Sequence, residues 1–297
     1  MDSNLEKYQE NGKKLFIWGG SAVRELFHIL SATLLSLLIP LAFLLLARLA
    51  TARYLLSNFD NYTTQNPTSP LSLMLLYAKP TIINLLVSVV SVSALTNGLI
   101  GKFKLLSNSL PQPPSAEASG FRPGLCVAWG FLCILQICVV LGIKESIDVG
   151  VDGSAFGEEE SFLCRVVFFF GLHETMMFWA ATVVKPVVDD TIFGFSRENS
   201  WAEKAAMAFN FGALWWWRLR NEVDALVVVP DVKRELMLRI EVSDFIGCWL
   251  YYLTVTIGMV RVVKGVIWVV MILTCRRRRR QVEGDDGGDF RPNEEKV

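Results

Sequence analysis

Five stretches of the chain are long and apolar enough to form membrane-spanning helices, since a helix needs roughly 20 apolar residues to cross about 30 Å of hydrocarbon. They cover residues 27–47, 81–100, 124–143, 161–184 and 245–274. Pro40 predicts a tolerated kink in the first stretch, and Pro80 lies where the second helix can begin. The pattern predicts an all-α, polytopic integral membrane helical bundle with about five apolar segments and a helical cytosolic connection.

The bulk composition agrees with a membrane protein. Of 297 residues, 52% are hydrophobic and only 20% are charged. Lys and Arg balance Asp and Glu at 29 each, which gives no reason to expect a nucleic-acid partner. The six cysteines form no CxxC pair, and the only histidines are His28 and His173, so neither a zinc site nor any other cofactor is expected.

The distribution of Lys and Arg predicts a cytosolic N-terminus. The N-terminal arm, the second connection and the fourth connection (185–243) carry four, three and eight of them, against three and one in the first and third connections. The first apolar stretch is longer than a usual signal-peptide core, so we expect an uncleaved helix. Asn61, in the sequon Asn61-Tyr62-Thr63 of an outside loop, is a glycosylation candidate.

The last apolar segment leaves the number of crossings open. A single pass would put the basic run 276–280 outside, against the positive-inside rule. A re-entrant hairpin turning near 258–265 would have arms of only about 21 Å. An extra crossing by 205–217 is disfavoured because it is short and would export several cations. Those cations are Arg218, Arg220, Lys233, Arg234 and Arg239.

The fourth connection is predicted to be helical and rich in tryptophan. Ser200 and Glu203 match a capping box, which predicts a helix through about Arg218. Tryptophan prefers the membrane–water boundary, so we expect this helix on the inner membrane surface or against the bundle. The alternative is a soluble helix that docks its aromatic side chains into a cytosolic core. The predicted membrane-surface anchors are Trp215, Trp216, Trp217, Arg276, Arg277, Arg278, Arg279 and Arg280.

The chain therefore divides into five parts. They are a cytosolic N-terminal arm (1–26), four transmembrane helices with short connections (27–184), the cytosolic connection (185–243), the last membrane segment as a single pass or re-entrant hairpin (244–275), and a basic juxtamembrane run with a disordered acidic tail (276–297). Cys275, beside the basic run, is a lipidation candidate if this end faces the cytosol. The expected partners are the lipid bilayer, with anionic lipid near the basic run, and proteins that bind 200–243. A homo-oligomer is compatible with the sequence.

Charged and polar residues at membrane depth are functional candidates because each charge costs about 2.5–3.5 kcal/mol there. The candidates are Arg165, His173, Glu174, Arg261 and Lys264. Arg165 lies one turn from the outer end of its helix, so we expect it to snorkel to the surface. His173 and Glu174 lie near mid-span, where their expected partners are polar groups on other helices. Those partners are Asn84, Ser88, Ser91, Gln136, Arg261 and Lys264.

The pair His173-Glu174 admits more than one reading. A zinc protease needs a second histidine one turn later, where Met177 stands. A proton or ion site would use a titratable group facing a wet cavity, whereas a structural pair would bond across helices to fix their packing. The sequence favours the structural pair. Asp189 and Asp190 lack companion ligands, which favours a surface turn or helix cap over a metal site.

Three strings, GLHETMMFW, VVKPVVDDT and WLYYLTVTIGMVRVVKG, resemble those of a family of uncharacterised multi-pass transmembrane proteins of land plants. The resemblance covers roughly residues 160–275 and implies a plasma-membrane or endomembrane protein of the secretory pathway. It transfers no catalytic residue.

Three function classes remain. The favoured one is a non-enzymatic membrane scaffold or regulatory protein, since no catalytic constellation is visible. The alternative is a small transporter or channel-like protein that uses the His173–Glu174 pair, although the two halves of the chain show no inverted repeat. An integral membrane enzyme is the third class.

Overall fold

The computed structural model describes residues 22–59, 81–100, 123–148, 162–193, 201–238 and 240–285, with side chains except at 56–59, 123–125, 148 and 275–285. All regular structure in these ranges is helical. The helices are α1 (Ala22–Leu55, continuing to Phe59), α2 (Thr81–Ile100), α3 (Pro123–Asp148), α4 (Phe162–Ile192), α5 (Trp201–Glu222), α6 (Ala225–Glu235) and α7 (Val242–Asp285). The fold is the all-α bundle that the sequence predicts.

The five predicted apolar segments are confirmed as helices, since α1, α2, α3, α4 and α7 are each long and apolar enough to cross a membrane. The last of them is one continuous helix. Of the two alternatives left open for this segment, the re-entrant hairpin turning near 258–265 is therefore wrong, because the helix continues through Gly258 and Gly265.

Helix α1 forms the centre of the bundle. Its sequence is apolar on every face, as expected of a helix with no solvent side. Four consecutive residues, Leu44, Leu45, Leu46 and Ala47, are all buried, and successive side chains on a helix point about 100° apart. Neighbours therefore surround α1 on all sides. The regular helix is interrupted at Leu37, three residues before Pro40, because proline supplies no N–H to the preceding turn.

The outer helices are apolar towards the surface and partly polar towards the interior. On α2, Ile82, Leu85 and Val89 are exposed, whereas Asn84 and Ser91 are buried. Such a surface would be unfavourable in water and is suited to lipid. This distribution and the five long apolar helices are those of a membrane-embedded protein.

Contacts at the two ends of α1 define the direction of its neighbours. His28, near the start of α1, contacts Asp189 near the end of α4; we call this the His28 end. At the opposite Arg48 end, Arg48 contacts Glu222, the last residue of α5. Arg165, in the first turn of α4, contacts Asp224 just beyond α5. Thus α4 runs antiparallel to α1, α5 runs parallel to α1, and α4 and α5 are antiparallel to each other.

Ring contacts along α4 and α5 show that the two helices stay together between these ends. Phe169 stacks on Phe211 at 5.1 Å, and Phe168 stacks on Trp215 at 6.1 Å between ring centroids. A helix from Trp201 to Glu222 rises about 33 Å. The connection that the sequence placed on the membrane surface or against the bundle lies against the bundle, along most of its length.

Helix α7 starts at the Arg48 end and runs parallel to α4. Tyr251 stacks on Phe168 at 4.9 Å, and Arg261 pairs with Glu174 further along both helices. Between these contacts the backbones of the two helices touch at Gly171 and Gly258. The short helix α6 lies at the Arg48 end, where it contacts α1 and α7.

Candidate functional site: buried ion pairs and a lateral groove

Arg48 is the centre of a buried polar cluster that the sequence analysis missed. Its Nε donates to Glu222 Oε2 at 2.5 Å and its Nη2 donates to Oε1 at 2.6 Å. Nη1 donates to Ser146 Oγ on α3 at 2.9 Å. Both charged side chains are only 2% exposed. The cluster therefore ties the ends of α1, α3 and α5 together in a setting where water does not screen the charges.

A second pair lies beside this cluster. Arg165 Nη2 is 2.7 Å from Asp224 Oδ2, and the Asp224 side chain is fully buried. The prediction that Arg165 snorkels to the surface is therefore wrong, because a carboxylate on the next element lies within reach. A π-helical segment, Trp215–Leu219, precedes Asp224. Its wider turn shifts the register of the residues that follow.

A third pair joins the first and fourth helices at the His28 end. His28 Nε2 and Asp189 Oδ1 are 2.6 Å apart, and both side chains are buried. The interpretation of Asp189 as part of a surface turn or helix cap is therefore wrong. One sequence signal could have indicated this pair. His28 lies one to two turns inside an apolar helix, where a histidine needs a polar partner, and Asp189 follows the apolar part of α4.

His173 and Glu174 face different neighbours, as their 100° separation predicts. The His173 ring packs near Phe211 on α5, with centroids 5.7 Å apart, and near Phe169 one turn earlier on α4. Glu174 instead forms an ion pair with Arg261 of α7, one of its predicted partners. The two residues do not form one site.

Glu174 and Arg261 line a lateral groove on the outside of the bundle, between α2, α4 and α7. The groove has a volume of about 180 Å³, which leaves room for several water molecules. Lys264 lies one turn beyond Arg261 and donates to the carbonyl oxygen of Gly98 on α2. The other residues that line the groove are Ala94, Leu95, Ile257 and Val260. Three of the five intramembrane candidates thus meet at one place.

The predicted tryptophan anchors differ from one another. Trp215 is buried in the core against Phe168, so its assignment as a surface anchor is wrong. Trp216 and Trp217 are 65% and 75% exposed. Trp201, at the other end of α5, is 81% exposed.

Several predicted features lie outside the described residues. They are Asn61, the capping residue Ser200, and the side chains of Cys275 and of Arg276 to Arg280. Across the described ranges, no three His, Cys, Asp or Glu side chains gather in a way that could hold a metal ion.

The fold and its buried charges define an α-helical membrane bundle whose helices are joined by ion pairs. No protein-family model, curated protein or solved structure matches the chain.

Proposed function

We propose that the protein is a non-enzymatic membrane scaffold or regulatory protein. The observation that carries the proposal is the packed axis of the bundle. Leu44 to Ala47 are buried on every side of α1, and the next residue, Arg48, is held by Glu222 and Ser146. A conducting path along this axis would require breaking a buried ion pair, so a permanently assembled bundle fits the geometry better.

We further propose six crossings, with α5 as the additional one. Its last residue, Glu222, lies at the Arg48 end, and from there the helix follows α4 towards the His28 end, past the contact between Phe211 and Phe169. Its exposed tryptophans, Trp201 and Trp216, are separated by about 23 Å of helix rise, which suits two interfacial aromatic belts. Six crossings return the basic run 276–280 to the side of the N-terminal arm, where anionic lipid is expected.

The objection that this topology exports cations is weakened by their contacts. Lys233 Nζ donates to Asp244 Oδ2 at 2.8 Å, and both side chains are buried. Arg218 lies 3.8 Å from Glu222, and the Arg220 guanidinium lies 4.7 Å from the Trp216 ring centroid. Cations that are neutralised by other side chains have less influence than free cations on the orientation of the chain in the membrane.

The topology can be tested by labelling with a membrane-impermeant maleimide. Met237 is 95% exposed in the turn between α6 and α7. With six crossings and a cytosolic N-terminus, Met237→Cys reacts in intact cells, and a cysteine appended after Val297 reacts only after permeabilisation. With five crossings and a cytosolic α5, the two results are exchanged. Wild-type chain measures the background from its own cysteines.

The scaffold proposal predicts partners that bind within 200–243, on the exposed face of α5. Phe209 and Trp217 are 77% and 75% exposed on that face. Proximity labelling should lose a set of neighbours in Phe209→Ala and Trp217→Ala and retain it in Ile82→Ala, a matched exposed residue of α2. Identical neighbour lists in all variants would contradict the proposal. From the resemblance, we propose a plant secretory-pathway membrane as the setting.

A small transporter is the second candidate, favoured by the lateral groove alone. If it is correct, purified protein in liposomes moves a solute or protons, and Glu174→Gln reduces the flux while the bundle stays folded. Flux that is unchanged in this variant would count against the groove as the transport path.

A further inference from the structure

We propose that the lateral groove binds a phosphate group. Its charged side chains are Glu174, Arg261 and Lys264, so the groove carries two cations and one anion. One positive charge is left without a counter-ion among these three. An uncompensated charge facing hydrocarbon is costly, and an anionic ligand removes that cost. The proposal holds whether the bundle acts as a scaffold or as a transporter.

The hydrogen-bond donors of the two cations suit phosphate oxygens. Arg261 contacts Glu174 through Nη1, while a guanidinium carries five N–H donors. Lys264 directs one of its three ammonium donors to the Gly98 carbonyl oxygen. Within the described part of the chain, the remaining donors of both groups have no acceptor. Arginine and lysine spaced by three residues share one face of α7, so both can approach the same phosphate.

The setting of the groove indicates where such a ligand would come from. Leu99 and Ile100 on α2 and Met259 and Val263 on α7 are 55% exposed or more and lie close in sequence to the groove residues. Acyl chains would pack against these side chains while a phosphate reaches the cations. A phospholipid headgroup therefore fits the surroundings, and a soluble phosphate-bearing solute shares the same chemistry at the charged centre.

The alternative role for these residues is purely structural, with the Glu174–Arg261 pair fastening α4 to α7. The two roles predict different effects of one substitution on phosphate binding. Glu174→Gln removes a negative charge beside the ligand and should tighten phosphate binding, because a carboxylate repels a phosphate. In a purely structural pair, the same change affects stability and leaves ligand binding alone.

The experiment measures equilibrium binding of a fluorescent phosphatidic acid to the full-length protein in neutral detergent micelles. Arg276 to Arg280 are replaced by glutamine in every variant, so that the basic run does not bind the lipid. Arg261→Gln and Lys264→Gln should each weaken binding about tenfold, the value of one charge-assisted hydrogen bond. Glu174→Gln should tighten it several-fold. Lys204→Gln, an exposed cation on α5, is the matched control and should bind as the parent does.

Competition distinguishes the two sources of the phosphate. Displacement of the probe by millimolar inorganic phosphate assigns the site to soluble solutes, whereas displacement only by unlabelled phosphatidic acid assigns it to lipid. Equal probe affinity in the Lys264→Gln and Glu174→Gln variants and their parent would overturn the proposal. Lys264 is exposed and its removal leaves no carboxylate unpaired, so this variant keeps the test valid if Arg261→Gln fails to fold.

Discussion

Arg48 and Glu222 lie 174 positions apart in the chain and form a two-point ion pair, with Nε–Oε2 at 2.5 Å and Nη2–Oε1 at 2.6 Å. The pair joins the central helix to the end of α5, the helix least apolar in sequence among those along the bundle. Because both side chains are buried, each neutralises a charge that the interior could not otherwise hold. Arg48 thus fixes the end of α5 to α1, in addition to the ring contacts that α5 makes with α4.

Replacing Arg48 by glutamine should destabilise the protein by about 3–5 kcal/mol, because Glu222 loses both of its buried hydrogen bonds and keeps only the more distant Arg218, at 3.8 Å, beside its charge. The double variant Arg48→Met with Glu222→Leu should recover much of this loss, since a hydrophobic pair of similar volume needs no desolvation of charge. Thermal unfolding of the purified protein in detergent measures both effects.

Arg53 on the same helix provides the control for this experiment. Its side chain is 18% exposed; Nη1 lies 3.4 Å from Glu241, which is 57% exposed, and donates to Ser243 Oγ at 2.5 Å. Because its carboxylate partner is solvated and stays solvated when Arg53 is replaced, Arg53→Gln should cost less stability than Arg48→Gln. A comparable loss at Arg48 and Arg53 would show that burial of the first pair is not what stabilises α5.

The contact between α4 and α7 should tolerate no side chain at Gly171 or Gly258. A Cβ at Gly171 would overlap the backbone carbonyl of Thr254, and one at Gly258 would overlap that of Val167. Because backbone atoms cannot rotate away, Gly171→Ala and Gly258→Ala should each cost at least about 1–3 kcal/mol of stability and separate the two helices. Loss of the Glu174–Arg261 pair should follow.

Gly212 and Gly130 are matched controls in α5 and α3, since nothing lies within 4 Å of a Cβ built at either. Alanine at these positions should be neutral or slightly stabilising, because alanine favours the helix. A crosslink between cysteines placed at Phe168 and Tyr251, whose rings stack, reports on the helix contact directly. Crosslinking that is equally efficient in the Gly258→Ala background would disprove the expected separation.

The apolar helices were predictable because length and hydropathy are local properties of the chain. For α5 the sequence left two positions open, the membrane surface or the bundle, since its apolar part is short. The residues that hold it against the bundle, Arg48 and Arg165, are distant in sequence. Arg48 was missed for a related reason. An arginine directly after a leucine-rich segment has the pattern of an interfacial residue, and only a carboxylate from another helix makes its burial favourable.

The same reasoning separates what could be predicted at the candidate site. Arg261 was one of six expected partners of His173 and Glu174, and the structure pairs it with Glu174. The candidate list was short because the membrane segments contain few polar groups. His173 was expected to have a polar partner, yet its neighbours are the Phe169 and Phe211 rings. The sequence favoured a structural role for both residues, and the structure places the two side chains at two different interfaces, as their 100° separation on the helix requires.

The triplet Trp215-Trp216-Trp217 should divide into one core residue and two surface residues. Trp215→Ala should lower stability by about 3–5 kcal/mol, because it removes a buried ring that stacks on Phe168. Trp217→Ala, at a side chain that is 75% exposed, should change stability far less. Brominated lipids that quench indole fluorescence provide a second measurement: removing Trp217 should reduce the quenchable fraction, and removing Trp215 should not. Equal effects at both positions would refute the assignment of Trp215 to the core.

His173 should tolerate phenylalanine if its role is to fill the aromatic layer between α4 and α5. The ring centroid lies 5.7 Å from Phe211 and 6.5 Å from Phe169, distances at which aromatic pairs interact favourably. His173→Phe preserves a planar ring and removes both nitrogens, so it should leave stability within about 1.5 kcal/mol of the parent. His173→Ala, which removes the ring, should cost about 3 kcal/mol or more. If the nitrogens are instead essential for proton transfer, His173→Phe abolishes proton flux in liposomes while the protein unfolds at the parent temperature. A stable but flux-deficient phenylalanine variant would therefore contradict the packing role and return His173 to a functional site.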